Sequence, residues 1–180
     1  MARLSDAAAF LGLPASGTGL RPAAHIGERT QGDEQADYSQ PDDERLARHK
    51  VEVQLAPNLP LAHMDFVLMQ EALKNLLSNA ALHTPPGTLV QVGARVRDGA
   101  LRFTVADGGP GIPANSLPRV FDKFYRAPGA RTGGTGLGLS IAKGFVEAQG
   151  GRITAENRAD GGALFTISLP VGHLVPVAAA

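Results

Sequence analysis

The sequence predicts a two-layer α/β sandwich of the α+β kind, with helices packed on one face of a mixed β-sheet. Three observations carry that prediction. Five short segments alternate apolar and polar residues, two longer ones repeat apolar residues at helical spacing, and the strand turns are short and rich in Asp and Gly. At 180 residues and 43% apolar content, the chain can bury one core, so these elements share a single domain.

The elements follow in order. Residues 1–45 carry scattered Gly and Pro and then acids from Asp33 to Glu44, and they read as a mobile leader. Val51, Val53 and Leu55 alternate with Glu52 and Gln54 before Pro57 and Pro60, a strand with one buried face. Asp65 is placed to cap a helix in which Phe66, Met69, Leu73, Leu76, Leu77 and Ala80 recur on one side, until Thr84-Pro85-Pro86-Gly87 stops it. Leu89 to Val96 and Leu101 to Val105 are strands joined by Arg97-Asp98-Gly99-Ala100, so they pair antiparallel. A second helix runs from about Gly136 to Gln149, with Leu139, Ile141, Ala142, Phe145 and Val146 as its apolar side and Gly150-Gly151 as its stop. Two more strands, Arg152 to Glu156 and Ala163 to Leu169, turn at Asp160-Gly161-Gly162. The domain proper is expected over 46–172, with 173–180 a tail.

Composition removes several function classes. The 17 basic and 17 acidic residues give a formal net charge of zero, which does not suit a nucleic-acid binder, so any phosphate recognition is local. Without cysteine there is no disulfide, thiol nucleophile or thiolate metal site, in keeping with a reducing cytoplasm. No apolar run reaches the roughly 18 residues a bilayer span needs, and the chain reads as soluble, without membrane contact of its own. The histidines, at positions 25, 49, 63, 83 and 173, lack metal-ligand spacing.

Four segments can carry chemistry. Gly133-Gly134-Thr135-Gly136-Leu137-Gly138-Leu139 leads into the second helix, and Asp107-Gly108-Gly109-Pro110-Gly111-Ile112 follows a strand. Glycines admit a close backbone approach, and the first free N–H groups of a helix attract an anion, so the pair of loops points to a bound nucleotide. Asn75 and Asn79 lie one helical turn apart with Glu71 a turn earlier, and Mg²⁺ accepts a single carboxamide such as Asn79 when phosphates supply other oxygens. Taken alone, the pair is more simply a solvated helix face. Asp107 can accept from an adenine amino group or can merely form a turn. Phe121 suits the core, while Arg126 opens a stretch of small residues with a second arginine, Arg131, that suits a lid over phosphates.

Together these segments resemble the ATP-binding catalytic domain of bacterial sensor histidine kinases, a branch of the superfamily shared with DNA gyrase and certain chaperones. The likeness runs from about Arg48 to Pro170. Asn75 to Ala80 resembles the asparagine box and Asp107 to Ile112 the first glycine box. Phe121-Asp122-Lys123-Phe124-Tyr125-Arg126 resembles the phenylalanine box and Gly134 to Leu139 the second glycine box. The resemblance implies ATP and Mg²⁺ as ligands, Asn79 on the metal, Asp107 on the adenine amino group, and Arg126 near the γ-phosphate. It further implies that His83, Gly109, Gly111, Ile112, Phe124 and Tyr125, with Gly134, Thr135, Gly136, Leu137, Gly138 and Leu139, surround the nucleotide. Leu59 to Leu68 resembles the potassium-sensing kinases more narrowly.

Asn75 bears on the branch. The gyrase branch has a glutamate at the matching position, where it activates water, and a carboxamide is no general base near neutral pH. Asn75 and Arg126 are therefore the expected catalytic pair for phosphoryl transfer to a protein. Two departures stand out. Leu82 occupies a position that is basic in many relatives, and neither His25 nor His49 sits in the His-Glu/Asp-Leu/Ile-Arg/Lys context of the family's phosphoacceptor. The implied partners are then a helical hairpin bearing that histidine, on another segment or chain, and a downstream response regulator. Met1 to Ser5 reads either as the remnant of such a hairpin in a larger kinase or as the start of a stand-alone domain. A non-catalytic nucleotide-binding module and a slow ATPase are the alternatives.

Overall fold

The computed structural model describes residues 42–56, 59, 64–130 and 134–170. Most of the leader, the tail, His25, His63, His173 and the Arg131-Thr132-Gly133 part of the second glycine run lie outside the described residues. The order is α1 (Asp42–Leu46), β1 (Lys50–Leu55), α2 (Phe66–His83), β2 (Leu89–Arg97), β3 (Ala100–Asp107), a one-turn 3₁₀ helix (Leu117–Arg119), α3 (Gly138–Glu147), β4 (Arg152–Asn157) and β5 (Ala163–Pro170). The five strands form one mixed sheet in the order β1-β2-β3-β5-β4, in which only β1 and β2 run parallel. The two-layer sandwich expected from the pattern is present.

Local chemistry accounts for each boundary. Asp65 caps α2, its Oδ1 accepting from Val67 N at 2.9 Å and Leu68 N at 3.1 Å. At the other end the Thr84 hydroxyl donates to Ala80 O at 2.8 Å, and two prolines prevent continuation. The β2–β3 hairpin closes on Asp98 (φ 52°) and Gly99 (φ 70°), and these two left-handed residues set Arg97 opposite Ala100. At the end of α3, Gly150 takes φ 71° and Gly151 N donates to Val146 O at 3.0 Å.

The core lies between the helices and one sheet face. Met69, Leu73, Leu76 and Ala80 of α2 and Ala142 and Val146 of α3 meet Val90, Val92, Leu101, Phe103, Val105, Phe165 and Ile167, all at most 3% exposed. Each large aliphatic side chain so buried contributes about 1.5–3 kcal/mol. The two helices run antiparallel: Asp65 N at the start of α2 donates to Gln149 Oε1, just past the end of α3, at 2.8 Å. This pairing places Asn75 beside Gly138, where a Cβ would lie 3.1 Å from Asn75 Oδ1.

Three expectations need correction. The strand near Lys50 does not bury one whole face, for Val51 packs on the core while Val53 and Leu55 are exposed. Among the described residues it is an edge strand, hydrogen-bonded to β2 alone. Ile141 is exposed on α3, whereas Leu139, Ala142, Phe145 and Val146 of the anticipated side do pack on the core. Finally, α1 begins inside the stretch read as leader; five residues are too few to show a helical period.

Candidate functional site: a glycine-lined cavity between α2, α3 and the sheet

One cavity of about 1020 Å³ gathers the motif residues. Its floor is the open end of the sheet, where Asp107 ends β3 and Ala163 and Phe165 of β5 stand beside it. One wall is the C-terminal half of α2, with Asn75, Ser78, Asn79, Leu82 and His83; the other is the start of α3, with Gly138, Leu139 and Ile141. Tyr125 and Arg126, and then Gly134 to Leu137, close the mouth.

Asp107 is the best-defined side chain there. It is 5% exposed, and its Oδ1 accepts from Gly109 N at 2.9 Å and from Ala163 N at 3.2 Å. Oδ2 has no protein partner among the described residues, so it is the acceptor left for a ligand. The loop after it is anchored by Asn157, whose Oδ1 accepts from Ile112 N and whose Nδ2 donates to Ile112 O, both at 2.7 Å. Arg158 Nη1 donates to Asp107 O at 3.2 Å while its Nη2 holds Asp160 at 2.6 Å. Gly111 (φ 77°) and Gly162 (φ 87°) allow these segments to approach.

The opposite end is polar through backbone. Leu137 precedes α3 and makes no side-chain capping bond, so the first amides of the helix are not occupied by a cap. Asn75 is turned inward, its Nδ2 donating to Glu71 O at 2.8 Å and its Oδ1 lying against Gly138. Glu71 itself does not line the cavity; its carboxylate binds Lys74 at 3.0 Å. Among the described residues no group of His, Asp or Glu side chains could hold a metal by itself. The lone carboxamide of Asn79 therefore fits a cation that takes most of its oxygens from a ligand's phosphates and from water.

The mouth is built on a tight crossing. Phe124 N donates to Gly136 O at 2.9 Å, and a Cβ on Gly136 would come within 2.9 Å of the Phe124 backbone. Both ends of the 126–134 stretch are thereby held together. Tyr125 is fixed from the side, its hydroxyl donating to the fully buried Ser116 Oγ at 3.0 Å and its ring lying 4.4 Å from the Arg119 guanidinium. Phe121 packs edge-on against Phe165, with centroids 6.4 Å apart, as core.

Of the anticipated site residues, the cavity brings together Asn75, Asn79, His83, Asp107, Gly109, Gly111, Ile112, Tyr125, Arg126, Gly134, Thr135, Gly136, Leu137, Gly138 and Leu139. Phe124 is not among them: it has φ 63° and is 72% exposed. Sequence reasoning missed Asn157, Arg158, Ser116 and Arg45, which no motif marks.

This fold and cavity define a nucleotide-binding class in which two glycine loops face an asparagine-bearing helix. Residues 64–173 match the family described as histidine kinase-, DNA gyrase B- and HSP90-like ATPases. The sensor protein KdpD of Clostridium acetobutylicum is 35% identical over 126 residues, covering 68% of this chain and 14% of the relative. AfsQ2 of Streptomyces coelicolor, a signal transduction histidine-protein kinase, is 45% identical over 111 residues, 61% of this chain and 20% of the relative. The solved structure of the mycobacterial sensor histidine kinase MprB superposes with a TM-score of 0.65 at 32% identity, covering 72% of this chain and 88% of that one. Full-length ShkA, solved with AMPPNP, gives 0.64 at 27% identity over 98% of this chain and 37% of that one. The chain belongs to the histidine kinase, gyrase B and HSP90-like ATPase family and carries the catalytic ATPase domain of the sensor histidine kinases. It spans a seventh to a fifth of these two curated relatives, at 14% and 20% of their lengths. Among the described residues no helix is long and apolar enough to cross a membrane.

Proposed function

We propose that this chain binds Mg²⁺·ATP in the cavity and passes the γ-phosphoryl group to a histidine on a helical hairpin supplied by another segment or chain. The observation that carries the reading is Asp107: its Oδ1 is fixed by Gly109 N and Ala163 N, while Oδ2 is left to an exocyclic amine. The triphosphate then extends toward the amides of Gly134 to Gly138, with Arg126 at the γ-phosphate. Asn79 would hold the Mg²⁺, which supplies charge neutralisation at the phosphate oxygens. Positioning is the protein's main contribution, since phosphoryl transfer asks for little covalent chemistry. An imidazole nitrogen attacks the γ-phosphorus in line, the bond to the β-bridging oxygen breaks, and ADP leaves as the imidazole gives up its proton.

The acceptor would hand its phosphoryl group to a response regulator, and the setting is the cytoplasm, whether or not a parent kinase is anchored to a membrane. The likeness of 59–68 to potassium-sensing kinases belongs to this reading. The decisive experiment mixes the chain with labelled ATP and a hairpin bearing the acceptor histidine. Acid-labile label on the hairpin is expected, and its absence would leave the chain without a transfer role.

A second reading, a nucleotide-binding module without catalysis, is favoured by Leu82. A Cβ on Gly134 would lie 3.3 Å from Leu82 Cδ2, so an apolar side chain meets the lid where many relatives place a cation. It predicts that ATP or ADP raises the melting temperature while no hairpin is labelled. Slow hydrolysis is the third possibility. Turnover that survives Asn75→Ala yet vanishes with Glu71→Ala would support it, against the observed pairing of Glu71 with Lys74.

A further inference from the structure

We propose that Arg45, outside every motif of the family, is a nucleotide-binding residue that covers the nucleoside end of the ligand. The inference rests on the ATP reading of the cavity. Arg45 stands in the last turn of α1 and lines the cavity beside His83 and Pro85. A continuous set of contacts fixes which end its backbone occupies. Its carbonyl accepts from His49 Nδ1 at 3.0 Å, and His49 Nε2 lies 2.9 Å from Thr84 Oγ1. Thr84, 1% exposed, sits beneath the first glycine loop, where a Cβ on Gly109 would come within 2.6 Å of its Cγ2. Gly109 N in turn donates to Asp107 Oδ1. The backbone of Arg45 is thus tied to the Asp107 end and the residue lines the cavity, whereas Arg126 lines it next to the 127–130 segment.

A cation at the base end has different work from one at the phosphates. With the purine edge turned to Asp107, a planar guanidinium meets the ring face, where it is attracted to the π-system and excludes water. There is a second consequence. Because Arg45 belongs to α1, nucleotide and α1 stabilise each other reciprocally.

The test uses the full 180-residue chain and titrates AMP, ADP and ATP against the unaltered protein, Arg45→Met and Arg45→Lys. A nucleoside contact lowers affinity by the same factor for all three ligands, about threefold to thirtyfold, and lysine, lacking the plane, does not restore it. Amide exchange in α1 slows on AMP binding in the unaltered chain and not in the variants. A loss that grows from AMP to ATP, or full rescue by lysine, overturns the proposal in favour of a charge contact with phosphate. Equal affinity for Arg45→Met and the unaltered chain overturns it outright. If the unaltered chain binds no adenine nucleotide, the ATP reading itself falls. Should Arg45→Met fail to fold, Arg45→Lys keeps the stem and the α1 charge and gives the same comparison.

Discussion

The two ends of the cavity use the same residue type under opposite constraints. At the Asp107 end Gly162 adopts φ 87° because the chain must pass directly over the Asp107 carbonyl, and a Cβ there would overlap that group. In the segment 126–130 at the mouth Gly129 adopts φ 76°, with nothing within 4 Å of where its Cβ would be. The Asp107 end is held by distant strands, through Ala163 N, Arg158 and Asn157; the mouth is held through Phe124 N and Gly136 O. A recognition site for a rigid heterocycle gains from the first arrangement, and a cover that must admit and release a triphosphate gains from the second.

The sharpest way to break this comparison is Gly162→Ala. Left-handed strain and the clash with Asp107 act together, and the expected loss of unfolding free energy in urea is about 3 kcal/mol. An unchanged midpoint would mean that the β4–β5 turn does not press on Asp107 as described.

Asp107→Asn comes next and tests recognition apart from folding. Asparagine keeps an acceptor for Gly109 N and Ala163 N but presents an NH₂ group where Oδ2 stood, facing the amine of adenine. Stability should hold while calorimetry shows adenine nucleotides weakened by about 1–3 kcal/mol. Unchanged affinity would place the base elsewhere in the cavity.

Asn157→Ala removes the paired bonds that tie Ile112 to β4. About 1–2 kcal/mol of stability should be lost in thermal or urea unfolding, with a smaller fall in nucleotide affinity as the loop loosens. Asn157→Asp, which keeps the acceptor for Ile112 N and loses the donor to Ile112 O, should fall between. If alanine changed affinity alone, Asn157 would have to be counted a ligand contact and not a brace.

These three differ in how far they were legible. Asp107 could be singled out because strand, carboxylate and glycines are contiguous, and the same contiguity made the helices, the hairpin at Asp98-Gly99 and the second glycine loop readable. The brace could not, since Asn157, Arg158 and Ala163 reach their partners across 45 to 56 residues of sequence, and only strand order decides that β5 lies beside β3. The parallel pairing of β1 with β2 is non-local in the same way. Phe124 shows the converse limit, for its box places it near the cavity, but only the fold shows it 72% exposed with a left-handed backbone.

Gly129→Ala should have the smallest effect and is the control that gives Gly162→Ala its meaning. The conformational cost at the substituted residue is about 1 kcal/mol, as for any alanine forced to positive φ. Gly129 and its neighbour Pro128 are exposed and make few buried contacts, so the segment can rearrange locally and relieve that cost without unfolding the sheet. Global stability should therefore change by less than about 0.5 kcal/mol. The change should appear instead in faster amide exchange between Tyr125 and Ala130 and in faster release of ATP, with the Asp107-dependent affinity for AMP unaltered. If the alanines at 129 and 162 lowered unfolding free energy equally, the lid would be as firmly built into the domain as the base end, and lid closure could not be a separate step from binding the base.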